Sequence, residues 1–164
     1  MEVDIEETRN ITNRIENGLS DVEGELLYSL AKNVHGDQVI VAIGKEDAES
    51  TLWVAKGSAA GNMNRVYSIR SRSKAMVVIE ADEGNTNAEF INKLERAGVD
   101  TIVITSYSDS EDTSRKWKDK VGLLLINNLF EYEDIKHVFI NWERHLSSDA
   151  RVVICGIHQP AQIE

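Results

Sequence analysis

Five short runs of β-branched and other apolar residues alternate along the chain with segments that have helical spacing. Runs of this length and composition are typical of buried strands. Parallel strands are joined by long crossovers, which are usually helices, so the alternation predicts a mostly parallel sheet covered on both faces. The predicted strands are residues 38–43, 65–69, 101–105, 121–126 and 151–155.

Capping residues and apolar spacing predict the helices around these strands. Ser20 and Glu23 have the spacing of a capping box ahead of an apolar run. Ser50 and Thr51 are predicted to begin the helix after the first strand, and Thr86 to cap the helix before the third. Apolar residues at helical spacing predict a last helix with one apolar face: Ile135, Val138, Phe139, Trp142 and Leu146.

Other segments have less regular patterns. Residues 4–19 predict an acidic helix with a narrow apolar stripe of Ile5, Ile11, Ile15 and Leu19. Residues 71–84 fit either a strand or a packed connection, and Gly98 is predicted to close the helix capped by Thr86. The 164 residues are sufficient for one domain, predicted to comprise N-terminal helices over residues 1–34 and a core over residues 38–156.

The charge balance limits the classes of partner that we expect. The formal net charge is −10, which repels nucleic acid and anionic membrane surfaces, and the basic cluster of Arg70, Arg72 and Lys74 is short. The single cysteine, Cys155, excludes an intrachain disulfide, and no apolar run has the length of a membrane span. Together with an acidic N-terminus that lacks a signal segment, these features predict a cytoplasmic protein.

The turn after the first predicted strand lies where open parallel sheets bind ligands. Residues 42–55 read Ala-Ile-Gly-Lys-Glu-Asp-Ala-Glu-Ser-Thr-Leu-Trp-Val-Ala. This segment resembles the first motif of class I S-adenosylmethionine (SAM)-dependent methyltransferases of the small O-methyltransferase-like branch. That motif reads Glu-Ile-Gly-x-x-x-Gly-x-Ser-Thr and continues as Leu-Trp-Leu-Ala. The resemblance extends over about residues 38–156, through the segments 56–69, 87–99 and 123–146.

The resemblance implies a three-layer, Rossmann-like α/β sandwich and SAM-dependent methylation of a small-molecule hydroxyl. It identifies no catalytic base at the matched positions. The positions that it assigns to SAM are Ala42, Gly44, Ala48, Ser50, Thr51, Arg70, Asn127 and Asn128.

Four of these positions depart from the family pattern. Ala42 replaces an acid that supports the amino acid part of SAM, and Ala48 replaces a glycine. Arg70 replaces the acid that accepts the ribose hydroxyls, although arginine has only donors. Asn127 replaces an aspartate that binds a metal in some members, so no metal is expected. These changes leave two functional classes open: an O-methyltransferase with altered SAM contacts, or a non-catalytic scaffold for binding or oligomerisation.

Some individual residues have two interpretations. Gly44 either admits a ligand close to the backbone or only permits a tight turn. Asn127 and Asn128 either hold a ligand or cap the next helix. Arg70 alternatively suits a phosphorylated nucleotide. The charged residues of the turn are interpreted as a solvated loop: Lys45, Glu46, Asp47 and Glu49.

The fifth predicted strand lies close to the end of the sequence. The family sheet has seven strands, the last two forming a hairpin at one edge, and residues 157–164 are too short for that hairpin. The fifth strand is therefore predicted to form an exposed edge, which proteins usually cover. We expect either a homodimer that pairs through this edge or an N-terminal helix folded over it.

Overall fold

The computed structural model describes residues 2–12, 19–44, 48–70, 83–127 and 131–155. The helices of these segments are α1 Glu2–Thr12, α2 Asp21–Lys32, α3 Ala48–Ala59, α4 Glu83–Arg96, α5 Ser110–Lys116 and α6 Tyr132–Trp142, followed by a 3-10 turn at Glu143–His145. The strands are β1 Val39–Gly44, β2 Val66–Arg70, β3 Val103–Ser106, β4 Val121–Asn127 and β5 Leu146–Cys155.

The five described strands form one sheet in the order β3-β2-β1-β4-β5, and every neighbouring pair is parallel. The chain builds β1, β2 and β3 outwards in one direction and then returns to place β4 on the other side of β1. The strand order therefore reverses between β1 and β4, and ligands of such sheets bind beside that point, at the carboxyl ends. This arrangement confirms the predicted α/β sandwich.

Alternating side chains of β1 enter two separate cores. Ile40 and Ala42 pack in the cluster that contains residues of α2, α3 and α4. Val41 and Ile43 pack in a second cluster with Trp142 of α6. Because successive strand residues point to opposite faces, one strand supplies both cores and the molecule has three layers.

Two glycines allow α2 and α3 to pack closely on one face of the sheet. A Cβ atom at Gly57 of α3 would overlap the backbone carbonyl of Tyr28 in α2. A Cβ at Gly24 of α2 would overlap the ring of Trp53, which is fully buried. These close contacts fix the position of α3 beside α2. In the sequence, α3 is the helix that follows the carboxyl end of β1.

The predicted helix signals are confirmed in part. Ser20 and Glu23 form the reciprocal capping box of α2. Gly98 has a φ of +66° after α4, where Val99 N donates to Leu94 O at 3.0 Å, as in a helix-terminating turn. However, α3 begins at Ala48 and α4 at Glu83, so Ser50 and Thr51 lie inside the first turn and Thr86 lies inside α4. Polar residues suit both the cap and the first turn, so composition did not distinguish them.

The last helix ends, and the last strand begins, earlier in the sequence than the apolar spacing predicted. α6 ends at Trp142, and Leu146 is the first residue of β5 rather than part of the helical face. The sequence analysis also missed α5, since that short helix has no apolar stripe. Its signal is the N-cap Asp109, whose side chain accepts from the backbone of Glu111 and Asp112.

The N-terminal helix does not take the position predicted as a cover for β5. Arg9 of α1 pairs with Asp21 and Glu25 of α2, and Glu7 pairs with Lys56 of α3. These ion pairs join α1 to α2 and α3. Leu19 lies outside α1, while residues 13–18 and 71–82 lie outside the described ranges.

The strand β5 forms one edge of the described sheet and pairs with β4. Val152 and Ile154 are 38% and 42% exposed, whereas Val153 packs against the α2–α4 core. Among the helices that the structure describes, none has the length and apolar character needed to cross a membrane.

Candidate functional site

The carboxyl ends of neighbouring strands place polar residues in one row. Gly44 of β1 is in register with Arg70 of β2 on one side and with Asn127 of β4 on the other. Asn127 is in turn in register with Cys155 of β5. The row therefore crosses the point where the strand order reverses, which is the ligand position expected for this fold.

The amino end of α3 closes this row from one side. Ser50 and Thr51 are buried in its first turn. The Asn127 side chain donates from Nδ2 to Ser50 Oγ at 2.6 Å, and both residues are buried. A buried amide needs such a partner, so this bond joins β4 to α3 at the floor of the site.

Gly44 is required by the neighbouring strand. A Cβ atom at this position would overlap the backbone carbonyl of Asn127. The close approach of β1 and β4 therefore excludes a side chain whether or not a ligand binds. The structural interpretation of Gly44 is sufficient to explain the glycine.

Arg70 lies between aromatic residues at the end of β2. Its guanidinium carbon is 4.2 Å from the centroid of the Phe90 ring and 5.3 Å from that of Tyr107. Nη1 also donates to the hydroxyl of Tyr107 at 2.6 Å. Because Arg70 is only 7% exposed, these cation–π and hydrogen-bond contacts form in a partly desolvated place where they are strong.

The cleft between these groups is narrow. Its volume is about 10 Å³, roughly the room for one water molecule. The side chain of Ala42 offers no hydrogen-bond acceptor to a cationic amino group, and Arg70 offers only donors to ribose hydroxyls. The lining comprises Ala42, Ile43, Gly44, Ser50, Thr51, Ser68, Ile69, Arg70 and Asn127.

The structure brings most of the predicted site residues together. Those that share the cleft are Ala42, Gly44, Ser50, Thr51, Arg70 and Asn127. Ala48 begins α3 at the edge of the site, and Asn128 lies outside the described residues.

The sequence analysis did not identify Ile43, Ser68 and Ile69, which line the cleft. It also did not identify Phe90 and Tyr107, which contact Arg70. Ser68 lies two positions before Arg70, and the alternation of side chains along a strand was the available signal. Phe90 and Tyr107 come from α4 and from the segment after β3. No local pattern connects them to Arg70, so only the tertiary structure identifies them.

Glu49 corrects the interpretation of the charged turn as solvated. Its side chain is only 4% exposed, and its Oε2 accepts a hydrogen bond from Leu19 N at 3.1 Å. The carboxylate thus joins the start of α3 to the segment that precedes α2. Residues 45–47 lie outside the described ranges.

Metal ligands are not grouped in the described part of the chain. Among those residues, no three histidines, cysteines, aspartates or glutamates come close enough to hold one ion. Asn127, the one predicted neutral oxygen ligand, has its amide bonded to Ser50.

The comparisons with known proteins agree with this geometry. A family model described as a methyltransferase domain matches residues 41–154, well over half of the chain. No curated protein sequence matches the chain.

Solved structures of methyltransferases share the fold at low sequence identity. The cofactor-bound protein Rv0187 from MTB is 21% identical, with a TM-score of 0.63 over 93% of this chain and 64% of its own. The O-methyltransferase TomG from Streptomyces achromogenes, solved with SAM, is 17% identical, with a TM-score of 0.63 over 92% and 64%.

The O-methyltransferase from Bacillus cereus, in complex with SAH, is 16% identical, with a TM-score of 0.65 over 93% of this chain and 65% of its own. The chain thus spans just under two thirds of these three proteins. With the matched family model, the parallel sheet and the site at its carboxyl edge, this chain belongs to a methyltransferase-domain family of the class I SAM-dependent type.

Proposed function

We propose that this chain binds SAM weakly at the carboxyl edge of β1, β2 and β4, as a small-molecule O-methyltransferase domain with altered cofactor contacts. The observation that carries the proposal is the register of Gly44 with Arg70 and Asn127, three residues that line one cleft at the end of the strands. The SAM- and SAH-bound structures with the same fold support this assignment.

The replaced acids set the expected affinity. A hydrogen bond to a charged group contributes roughly 1.5–3 kcal/mol, so losing the acids at both Ala42 and Arg70 weakens SAM by a few orders of magnitude. The contacts of Arg70 lower the expected SAM affinity further. Its guanidinium is hydrogen-bonded to Tyr107 and packs on Phe90, at the position where the family has the acid for the ribose hydroxyls. A cofactor that needs this space must displace those contacts.

Isothermal titration with SAM and with S-adenosylhomocysteine tests the proposal. We expect dissociation constants near ~1 mM, in the weak range for a small ligand. ATP and NADP serve as controls, since NADP binding tighter than SAM would indicate that Arg70 selects a phosphorylated nucleotide. The absence of SAM binding at millimolar concentrations would contradict the proposal, and micromolar binding would contradict its account of weak affinity.

A double variant tests which residues cause the weakness. Ala42→Glu with Arg70→Asp restores both acids, and we expect SAM affinity to rise at least ~10-fold, about 1.4 kcal/mol. Ala42→Gln with Arg70→Asn is the matched control, because it changes shape similarly without adding carboxylates. If the two folded variants bind SAM equally, charge at these positions does not explain the affinity.

The alternative is a non-catalytic scaffold that self-associates through β5. The exposed side chains of Val152 and Ile154 on this edge strand favour it. Sedimentation of the purified chain should then show a dimer that Val152→Lys with Ile154→Lys dissociates. A monomer at high protein concentration contradicts this alternative without affecting the SAM proposal.

A further inference from the structure

Opposite the cleft lined by Gly44, Arg70 and Asn127, which we call the SAM cleft, a second and larger concavity lies at the amino ends of the strands. Its volume is about 390 Å³, within the range of small-ligand sites. Its walls come from Gln38 before β1, from residues 118–120 before β4 and from residues 144–149 at the start of β5. We call this feature the amino-edge groove. β1 separates it from the SAM cleft by about 20 Å, at ~3.3 Å per residue.

The amino-edge groove is locally basic in a chain whose net charge is −10. Lys118, Lys120 and Arg144 line it and are exposed. None of the three forms an ion pair with a residue that the structure describes. The sequence contains a signal for this groove that the sequence analysis did not use: four of the six residues 115–120 are lysine or arginine.

The groove also contains two carboxylates, Asp149 and Asp119, which differ in their hydrogen bonding and exposure. Asp149 Oδ1 accepts a hydrogen bond from Gln38 Nε2 at 2.9 Å, and this bond, with a further one from Ser147, holds the pKa of Asp149 below its usual value. Asp119 is exposed beside the lysines. Three cations therefore face one carboxylate that is already hydrogen-bonded and one that is solvated.

Arg144 has donors available towards the groove. Its described contacts are Nη2 to Ser114 O at 3.4 Å and Nε to His145 Nε2 at 3.2 Å. His145 Nε2 is also 2.8 Å from Ser114 O, and a nitrogen that donates its proton to that carbonyl does not accept one from Arg144. The guanidinium is thus weakly held, and its planar donors suit a phosphate or carboxylate.

The chemistry of the lining selects the class of ligand. Among the described residues that line the groove, only Leu146 is apolar, so an apolar ligand would gain little. The hydroxyl group of Ser148 also lines the groove and is an additional donor. Two lysines and an arginine provide more positive charge than a single carboxylate needs, whereas a phosphate carries close to two negative charges at neutral pH.

We propose that the amino-edge groove binds a phosphate group, held by Lys118, Lys120 and Arg144, independently of the SAM cleft. The phosphate belongs either to a free small molecule or to a phosphorylated side chain of a partner. The cluster is too small, and the net charge too negative, for a nucleic acid backbone.

Tryptophan side chains provide reporters for both edges of the sheet. The indole Nε1 of Trp117 donates to Asp119 O at 2.9 Å, inside the segment that lines the groove. Trp53 is buried in α3, two residues after Thr51, which lines the SAM cleft. Nitrogen-15 NMR of the full chain can therefore distinguish binding at the two places.

The chain is titrated with inorganic pyrophosphate and, separately, with N-acetyl-phosphoserine amide, at constant ionic strength in sodium chloride. We expect saturable shifts of the Trp117 indole and of the amides of residues 118–120 and 144–149, with a dissociation constant below ~1 mM. The Trp53 indole should not move. Tighter binding of pyrophosphate indicates a free phosphorylated molecule, and tighter binding of the phosphoserine amide indicates a phosphorylated partner; either supports the site.

Variants provide the decisive comparison. Lys118→Ala with Arg144→Ala should weaken binding at least ~10-fold. Lys136→Ala with Arg115→Ala removes one lysine and one arginine outside the groove lining and should leave binding unchanged. An unchanged Trp53 signal and thermal midpoint verify folding of each variant.

Three results would overturn the proposal. One is the absence of saturable shifts with either compound. A second is an equal response to sodium chloride alone, which indicates general screening. The third is an equal loss of binding in both double variants, which indicates that net charge rather than the groove attracts the anion.

Discussion

Polar residues at the carboxyl ends of the strands and polar residues at the amino ends differ in how far they are already bonded to other groups of the chain. At the carboxyl edge, Asn127 bonds to Ser50, Arg70 bonds to Tyr107, and the cleft between them has room for about one water molecule. At the amino edge, Lys118 and Arg144 face an open groove of about 390 Å³ without a described ion pair. The edge that the fold assigns to ligands is thus internally bonded, while the opposite edge keeps its charges available. Fold assignment indicates where a site lies, and the side chains decide what it binds.

The largest expected effect tests how closely the carboxyl edge is packed. Gly44→Ala places a Cβ against the carbonyl of Asn127 and should lower the free energy of unfolding by about 3 kcal/mol. Gly36→Ala is the control, because its nearest neighbour is Asn62 Cβ at 3.9 Å, an ordinary contact. Urea denaturation followed by circular dichroism measures both. Equal stability of the two variants would mean that β1 and β4 separate easily at this end.

A smaller effect is expected from the buried hydrogen bond of the same edge. Ser50→Ala removes the partner of Asn127 Nδ2 and should destabilise the chain by about 1–2 kcal/mol. Ser29→Ala, on the exposed face of α2, removes a helical serine without such a bond and should change stability by less than about 0.5 kcal/mol. If Ser50→Ala is as stable as its control, the bond does not contribute to holding α3 on β4.

The amino edge should respond differently. Arg144→Ala is expected to change the free energy of unfolding by less than about 0.5 kcal/mol, because its side chain is exposed and its two hydrogen bonds are long. The same urea measurement applies. A loss comparable with that of Ser50→Ala would show that Arg144 supports the fold, and the contrast between the two edges would then fail.

The smallest effect concerns the pH dependence of the amino edge. The hydrogen bond from Gln38 is the first cause of the lowered pKa of Asp149. The stability from a lowered carboxyl pKa is fully present above the unfolded value of about 3.9 and is lost as pH falls through the folded value. Gln38→Met should therefore raise the pKa of Asp149 towards its ordinary value.

Carbon-13 NMR titration of the carboxyl groups measures this change. Glu89 is the internal control, because the pKa of its carboxyl is lowered by Lys93 on α4, away from the substitution. A pKa of Asp149 that stays the same in Gln38→Met would assign the shift to Ser147 or to the backbone instead.

The sequence predicted the fold well where a local pattern reports a local structure. The five apolar runs correspond to β1–β5, and the capping box at Ser20 is present. The predictions were wrong where one pattern fits two structures. Leu146 continues the helical spacing of α6 yet begins β5, and Thr86 resembles a cap yet lies within α4.

The candidate site was predictable where the strands end and where α3 begins, with Ser50 and Thr51. Gly44, Arg70 and Asn127 each follow a predicted strand, so parallel pairing brings them together. Phe90 and Tyr107 reach Arg70 from other elements, and Glu49 is buried by contact with Leu19. These contacts depend on how the helices and connecting segments pack, which short sequence patterns do not encode.

The sequence by itself determined the alternation of strands and helices, the methyltransferase resemblance and the residue types at positions 42 and 70, because each is a property of residue type and order. The tertiary structure alone decided that Gly44 is required by the backbone of β4 and that Arg70 is held by aromatic side chains. It also decided that Lys118 and Arg144 share one groove. Such facts rest on distances between residues far apart in the chain, and only close packing of the folded molecule sets those distances.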